Sequence, residues 1–236
     1  MRESEKDLSL FVVVVAAGLG TRLGKGDRKA ALTLASIPLV VRSLRAFAGL
    51  PAALGGALVV HSDDIERATE EWLPAAEATF PWQVVVGGAT RAESCANGLA
   101  AAPERAESFL VHDAARPLLA VADRDRVVAA LREHSCEGAI LAAPVTDTLK
   151  RVAEGQIVGS EDRSGLWRAQ TPQVFTRGAL ERARRAGGLE GTDEASWLTA
   201  AGCAVRVVES QEANPKITRP ADLEVWEAVL DARARR

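Results

Sequence analysis

A chain of 236 residues, 47% hydrophobic and 26% charged, is long enough to bury one sizeable core and reads as a single domain over residues 1–236. Its formal net charge of -3 supplies no overall field that would draw in a nucleic acid, so any phosphate chemistry must rest on individually placed cations. Cys95, Cys136 and Cys203 stand singly, without Cys-x-x-Cys spacing or a nearby histidine cluster; this argues against a zinc site or a disulfide framework and fits a reducing cytoplasm.

The apolar run 8–17 is too short to span a bilayer and follows the acidic Glu3, Glu5 and Asp7, so it reads as a buried strand rather than a signal peptide, and no membrane partner is expected. From there β-branched runs alternate with Ala/Leu/Arg/Glu stretches. The spacing predicts strands at 11–15, 57–60, 83–86, 108–112 and 139–143 and helices at 38–48, 65–73, 91–101 and 123–133. That is βαβ punctuation, and it predicts an α/β fold with a doubly wound, mostly parallel sheet. Between 147 and 175 the rhythm breaks. Strand-like pieces at 149–152 and 156–158 flank Glu154-Gly155, a turn signal within a polar stretch, and predict an inserted β-arm over 147–175. Helices at 177–186 and 194–200, a strand at 204–208 and a helix opening at Pro220 then restore the pattern.

Ligands of an open parallel sheet sit beyond the carboxyl ends of its strands, which directs attention to the loop after the first strand. It reads Ala16-Ala17-Gly18-Leu19-Gly20-Thr21-Arg22-Leu23-Gly24, with Lys25 and Lys29 close behind. Small residues let a backbone approach a bulky ligand while its N–H groups cradle phosphate oxygens. The loop is neither familiar glycine motif. Its third glycine comes one residue late for G-x-G-x-x-G, and for the P-loop Gly18 lies one residue too far from Gly24-Lys25, with Gly26 where Ser or Thr should stand. Two cations, Arg22 and Lys29, are instead aimed at a polyphosphate.

This loop resembles the signature of nucleotidyltransferases with a Rossmann-like fold. Further along stand Gly87-Gly88 with Arg91 and Ser94, Val111-His112-Asp113-Ala114-Ala115-Arg116-Pro117, Ala142-Ala143-Pro144-Val145 with Asp147-Thr148-Leu149-Lys150, and Gln170-Thr171-Pro172-Gln173. With Thr192-Asp193-Glu194-Ala195 and Asn214-Pro215-Lys216-Ile217-Thr218, the chain resembles the 2-C-methyl-D-erythritol 4-phosphate cytidylyltransferase family from residue 12 to about residue 223. A related family that cytidylylates ribitol 5-phosphate shares these motifs. The chain departs from the pattern at Arg28 and Ala30, where the family usually has proline and glutamine around the lysine, at Ala89 in place of an acidic residue, and at Pro215 in place of isoleucine.

The resemblance implies that a polyol phosphate attacks the α-phosphorus of CTP and expels pyrophosphate, in non-mevalonate isoprenoid precursor synthesis, with Mg²⁺ or another divalent cation as cofactor. Catalysis is then positioning and electrostatic stabilisation. Arg22, Lys29 and Lys216 are the implied catalytic cations; Ala16, Ala17, Gly18, Gly20, Gly87, Gly88 and Ser94 line the nucleotide slot; Asp113 holds the metal. Thr148, Arg163, Thr171 and Thr192, assisted by Arg116, are implied to grip the acceptor. His112 reads as a packed strand-end histidine, since the attacking phosphate is already ionised. Trp167 reads as packing at the base of the arm. The arm is expected to make a homodimer and carry Arg163 into the neighbouring subunit's site, because an isolated two-stranded ribbon is marginal in water.

Overall fold

A computed structural model describes residues 8–18, 29–133, 136–187 and 191–235, without the side chains of residues 133, 233 and 234. Gly20 and Arg22, and with them part of the implied triphosphate clamp, lie outside the described residues.

The first strand dictates the layering. In β1 (Leu10–Val15) the side chains of Leu10, Val12 and Val14 join one apolar cluster and those of Phe11 and Val13 another, because successive residues of a strand face opposite sides. A strand buried on both faces needs helices on both. The first face is covered by α1 (Leu39–Arg45), by Trp72, and by α5 (Val121–Glu133), which contributes Val127, Val128 and Leu131. Trp72 ends a π-helical turn, Ala68–Trp72, set between the short α2 (Ile65–Arg67) and α3 (Leu73–Ala75), where a regular helix was expected. The second face is covered by α4 (Arg91–Ala100), α6 (Arg177–Arg185) and α7 (Glu194–Ala200). Gly98 of α4 permits this packing, since a Cβ there would come within 2.5 Å of Val13 Cγ1 and 2.7 Å of Val59 Cγ2.

The sheet has seven strands in the order β11-β7-β10-β6-β1-β4-β5, comprising β1, β4 (Ala53–Val60), β5 (Trp82–Val86), β6 (Ser108–Asp113), β7 (Gly138–Pro144), β10 (Trp167–Thr176) and β11 (Val205–Glu209). β1 pairs in parallel with β4 and β6, β4 with β5, and β7 with β11. β10 alone runs antiparallel to its neighbours, β6 and β7. The doubly wound, mostly parallel α/β sheet is thus the observed architecture. Two small ribbons sit beside it, β2 (Thr33–Leu34) with β3 (Ile37–Pro38), and β8 (Leu149–Ala153) with β9 (Gln156–Glu161).

The segment 147–175, expected to be one inserted arm, is two different things. Its first part is the β8–β9 ribbon, turned at Glu154 and Gly155 with φ of 48° and 79°. Its last part is β10, whose residues Thr171–Phe175 are buried between two neighbouring strands of the main sheet. Polar side chains at 168–173 disguise this strand, yet Gln173 is satisfied in the interior by Asp193 Oδ2 and Ala195 N. Trp167 is 41% exposed rather than packed at the arm's base. Because β10 runs against β6, its first residues arrive at the carboxyl end of the parallel strands, and the ribbon therefore springs from the ligand side of the sheet.

Candidate active site

A cavity of about 610 Å³ opens at that edge. Val15, Ala16, Ala17 and Gly18 line it from the end of β1, Lys29 and Ala30 from a one-turn 3-10 helix, and Gly88, Ala89, Thr90, Arg91 and Ser94 from the β5–α4 connection. Asp113, Ala114 and Ala115 follow β6, while Lys216 and Thr218 come from the segment before α8 (Pro220–Ala234). Chemistry-bearing residues from opposite ends of the chain, Lys29 and Lys216, thus share one cavity.

Local chemistry explains how the slot stays narrow. A Cβ on Gly87 would lie 2.4 Å from Ala17 Cβ, so glycine lets the two loops close on each other. Thr90 caps α4 by accepting from Glu93 N at 3.1 Å. Ser94 Oγ accepts from Gly88 N at 3.1 Å and donates to Thr90 O at 2.9 Å, which fixes the loop that faces Ala17. Ala89, the departure from an acidic residue, keeps its N–H bonded to Glu93 Oε2 at 2.7 Å.

Asp113 is held on every polar atom. Its N–H donates to Thr171 Oγ1 at 3.0 Å and its carbonyl accepts from Arg116 N at 2.9 Å. Carboxylate Oδ1 accepts from Arg91 Nε at 3.0 Å and Oδ2 from Lys216 Nζ at 2.7 Å. Burial alone would raise the pKa of this acid, but Arg91, then Lys216, more than offset it and hold the carboxyl well below the usual range. The group is ionised at any working pH.

Lys216 reaches the cavity because its neighbours are anchored. Arg116 Nη1 donates to Asn214 O at 2.9 Å, Asn214 Nδ2 to Thr171 O at 2.8 Å, and Ile217 N to Ala115 O at 2.8 Å. Ile217 is fully buried among Leu32, Leu34, Leu39 and Leu118, with Leu223, Trp226 and Leu230 of α8 packed against them. Pro215, another departure, sits inside this anchored stretch and contributes no N–H that any of these bonds needs.

Of the implied site residues, the structure brings Ala16, Ala17, Gly18, Lys29, Gly88, Ser94, Asp113 and Lys216 to the cavity wall, with Gly87 directly behind. Five implied acceptor residues do not line it. The Arg116 guanidinium spans Asn214 O and Ala169 O, a brace for the Lys216 segment, and the carboxylate of Asp113 is ion-paired to Arg91 and Lys216 instead. Thr171 is 4% exposed, and its hydroxyl serves Asp113 N and His112 Nδ1. Thr148 and Thr192 are exposed; Arg163, also exposed, donates to Thr146 O of its own chain. His112 is the packed histidine expected. With Nε2–H donating to Arg116 O at 3.1 Å, Nδ1 is left to accept from Thr171, and burial pushes the ring's pKa down to about 4.

Two cavity residues, His61 and Arg91, and one side chain behind them, Glu194, carried no assignment from sequence. His61, at the end of β4, lines the wall with Nδ1 turned to Asp63 N at 3.3 Å. Arg91 clamps Asp113, and fully buried Glu194 in turn clamps Arg91 bidentately, at 2.9 and 3.2 Å. One signal was available: Arg91 puts a cation in the first turn of α4, against the helix dipole, a placement that nearby carboxylates offset.

The sequence pattern of the 2-C-methyl-D-erythritol 4-phosphate cytidylyltransferase (IspD) family matches residues 10–232. The chain belongs to that family. A Stenotrophomonas maltophilia (strain K279a) protein named 2-C-methyl-D-erythritol 4-phosphate cytidylyltransferase is 45% identical over 234 residues, covering 96% of this chain and 98% of its own. The crystal structure of a 4-diphosphocytidyl-2C-methyl-D-erythritol synthase superimposes with a TM-score of 0.76 at 34% identity, over 94% of this chain and 98% of the other. That of the 2-C-methyl-D-erythritol 4-phosphate cytidylyltransferase from Thermus thermophilus gives 0.74 at 29% identity, over 93% and 98%. The family's shared α/β sheet is the frame that sets Asp113 and Lys216 side by side in this cytidylyltransferase. Among the described residues no helix is long and apolar enough to cross a membrane.

Proposed function

We propose that this chain joins CTP and 2-C-methyl-D-erythritol 4-phosphate, giving 4-diphosphocytidyl-2-C-methyl-D-erythritol and pyrophosphate, in the cytoplasm, as a step of non-mevalonate isoprenoid precursor synthesis. The observation that carries the reading is the cavity itself: a slot of small residues beside Lys29 and the Asp113–Lys216 pair, at the carboxyl edge of a sheet shared with relatives that bear this name. The ribitol 5-phosphate alternative is not favoured, since the matching family and the relatives named above carry the methylerythritol name.

In this reading an oxygen of the acceptor phosphate forms a bond to the α-phosphorus of CTP as the bond from that phosphorus to the β-phosphate oxygen breaks. Pyrophosphate leaves with the bonding electrons. Lys29, with Arg22 from the glycine-rich loop, neutralises charge gathering on the triphosphate, and Lys216 stabilises the crowded α-phosphate. Gly18, Ala17 and Gly88 leave room for the nucleoside to approach backbone groups.

The donor set fits one magnesium ion. Mg²⁺ takes one or two carboxylates and fills its remaining positions with phosphates and water, and each Asp113 oxygen, bonded to one cation, keeps a second lone pair. When bound, the ion would offset triphosphate charge beside Asp113. The acceptor is gripped by Thr192 and by Thr148 and Arg163 of the ribbon, completed in a homodimer in which the ribbon crosses to the neighbouring subunit. Val152, Ile157 and Val158, each more than half exposed on the ribbon, support that reading, because they give an apolar surface that the described residues leave largely open.

The test is pyrophosphate release by purified protein with Mg²⁺, each of the four nucleoside triphosphates, and either polyol phosphate. The expected outcome is turnover with CTP and methylerythritol phosphate, and its loss on adding EDTA. Equal rates with all four nucleotides, or a preference for ribitol phosphate, would refute it.

A further inference from the structure

Behind the cavity wall, four charged side chains from four separate elements alternate in sign. Glu194 opens α7 and is 0% exposed; Arg91 opens α4 and lines the cavity; Asp113 ends β6; Lys216 precedes α8. The links are Glu194 Oε1 and Oε2 to Arg91 Nη1 and Nη2 at 2.9 and 3.2 Å, Arg91 Nε to Asp113 Oδ1 at 3.0 Å, and Asp113 Oδ2 to Lys216 Nζ at 2.7 Å. Two anions and two cations cancel along the run.

Packing does not require the first member. Buried ion pairs are commonly replaceable by apolar side chains without loss of stability, so α7 needs no charge to dock. Its N-terminus is already capped by Asp193, in a reciprocal box with Ser196. What Glu194 does touch is Arg91, together with the Cys95 thiol that donates to Oε1 at 3.1 Å. A guanidinium is a planar fork, and here its Nη atoms point at Glu194 and its Nε at Asp113. A cation on the wall of a triphosphate site is thereby turned away from the triphosphate.

From this geometry we infer that Glu194 is a positioning residue for nucleotidyl transfer: by holding Arg91 it keeps that guanidinium off the nucleotide phosphates and fixes the Asp113 carboxylate so that Oδ2 meets Lys216. The inference rests on the reaction proposed above. Without Glu194 the Nη groups are released beside Lys29 and Lys216, where they bind ground-state phosphate oxygens and pull Asp113 with them. Ground-state binding then improves while the α-phosphate loses its aligned partner.

The experiment uses full-length protein and Glu194→Gln, which keeps the side chain's shape, with Glu194→Asp as a charged second variant. Pyrophosphate release, calorimetric CTP binding without acceptor, and thermal melting are recorded for each. The expected result is a kcat lower by about 10- to 100-fold, the range typical of losing an outer positioning group, with KM and Kd for CTP unchanged or lower. In an Arg91→Ala background, Glu194→Gln should bring no further loss, since Glu194 acts through Arg91. A merely structural role would lower melting temperature and active fraction without this split. The inference is overturned by a raised CTP KM with kcat intact, by an equal loss in the Arg91→Ala background, or by failure of both Glu194 variants to fold. Inactivity of the unsubstituted protein would instead strike the reaction itself, and it is seen before any variant is made.

Discussion

The carboxyl edge of the sheet around Asp113 and the β8–β9 ribbon belong to one chain but are built in opposite ways. At the edge, each polar atom of Asp113 has a partner drawn from α4, β10, the turn at Arg116 or the Lys216 segment. On the ribbon, Val152, Ile157 and Val158 are 57%, 66% and 58% exposed, and among the described residues the two strands form a sheet with each other alone. Electrostatic preorganisation requires the first kind of construction, because donors that must reorganise when charge develops give up much of their effect. A two-stranded ribbon, marginal in water by itself, suits a part that finds its packing elsewhere. In the reaction proposed above, the nucleotide half of the site would be a property of one chain, and the acceptor half, assigned to Thr148 and Arg163, the half a second subunit would complete.

The sharpest test of the preorganised half is Lys216→Ala. Removing one donor to developing charge typically lowers kcat by about 10²- to 10³-fold, and KM for the acceptor should change little. Lys29→Ala should behave alike, whereas Asp113→Asn should chiefly shift the Mg²⁺ titration. An intact kcat in Lys216→Ala would remove the cavity's main catalytic assignment.

The two halves were also unequally legible in the sequence. Turn chemistry at Glu154-Gly155 revealed the ribbon, and alternation in Leu10–Val15 revealed the doubly covered strand, because both are local signals. The ribbon's expected extent overran into β10, where Arg168, Gln170 and Gln173 fall in a polar stretch; the burial of Gln173 depends on partners such as Asp193 that no local pattern exposes. The π-helical turn at Ala68–Trp72 left no mark in a regular helical periodicity. Arg91 and Glu194, 103 residues apart, are joined only by the fold, and Arg116 and Thr171 turned out to brace Asp113 and Lys216 from outside the cavity.

A second prediction concerns the buried edge and acid. His112 takes up a proton near pH 6.5 when unfolded and only near pH 4 when folded. Its contribution is complete above pH 6.5 and is lost as pH falls towards 4, because across that window the unfolded chain binds the extra proton; the total is about 3 kcal/mol. Denaturant titrations of the parent and His112→Asn should diverge in slope across this interval. Parallel curves would show that His112 is not kept neutral.

The proposed division between chains can be read from mixed dimers. Lys216→Ala and Arg163→Ala would be unfolded together, refolded as a mixture and assayed beside each parent. If Arg163 serves the neighbouring subunit, a mixed dimer has one site with both residues intact and one with neither. Random re-pairing makes about half the dimers mixed, so about a quarter of full activity should return. Recovery no greater than the parents' sum, with mixed dimers verified by mass, would confine Arg163 to its own subunit or remove it from the site.

The smallest expected effect is on folding stability, from Ile157→Ser at the ribbon's most exposed large apolar residue. Within one chain this side chain touches little, and substitutions at such surface positions usually stay within about 0.5 kcal/mol. In a dimer joined through the ribbon the same side chain would be covered, and its loss would weaken association roughly in proportion to the apolar area it buries. Urea unfolding at concentrations where subunits are apart, set beside sedimentation at higher concentration, separates the two. The expected pair of results is an unmoved unfolding midpoint and a raised dimer dissociation constant. A midpoint that shifts as far as for a truncated Phe109, buried in the second core cluster, would mean that the ribbon packs on its own chain. The contrast between a self-sufficient edge and a ribbon awaiting a partner would then collapse.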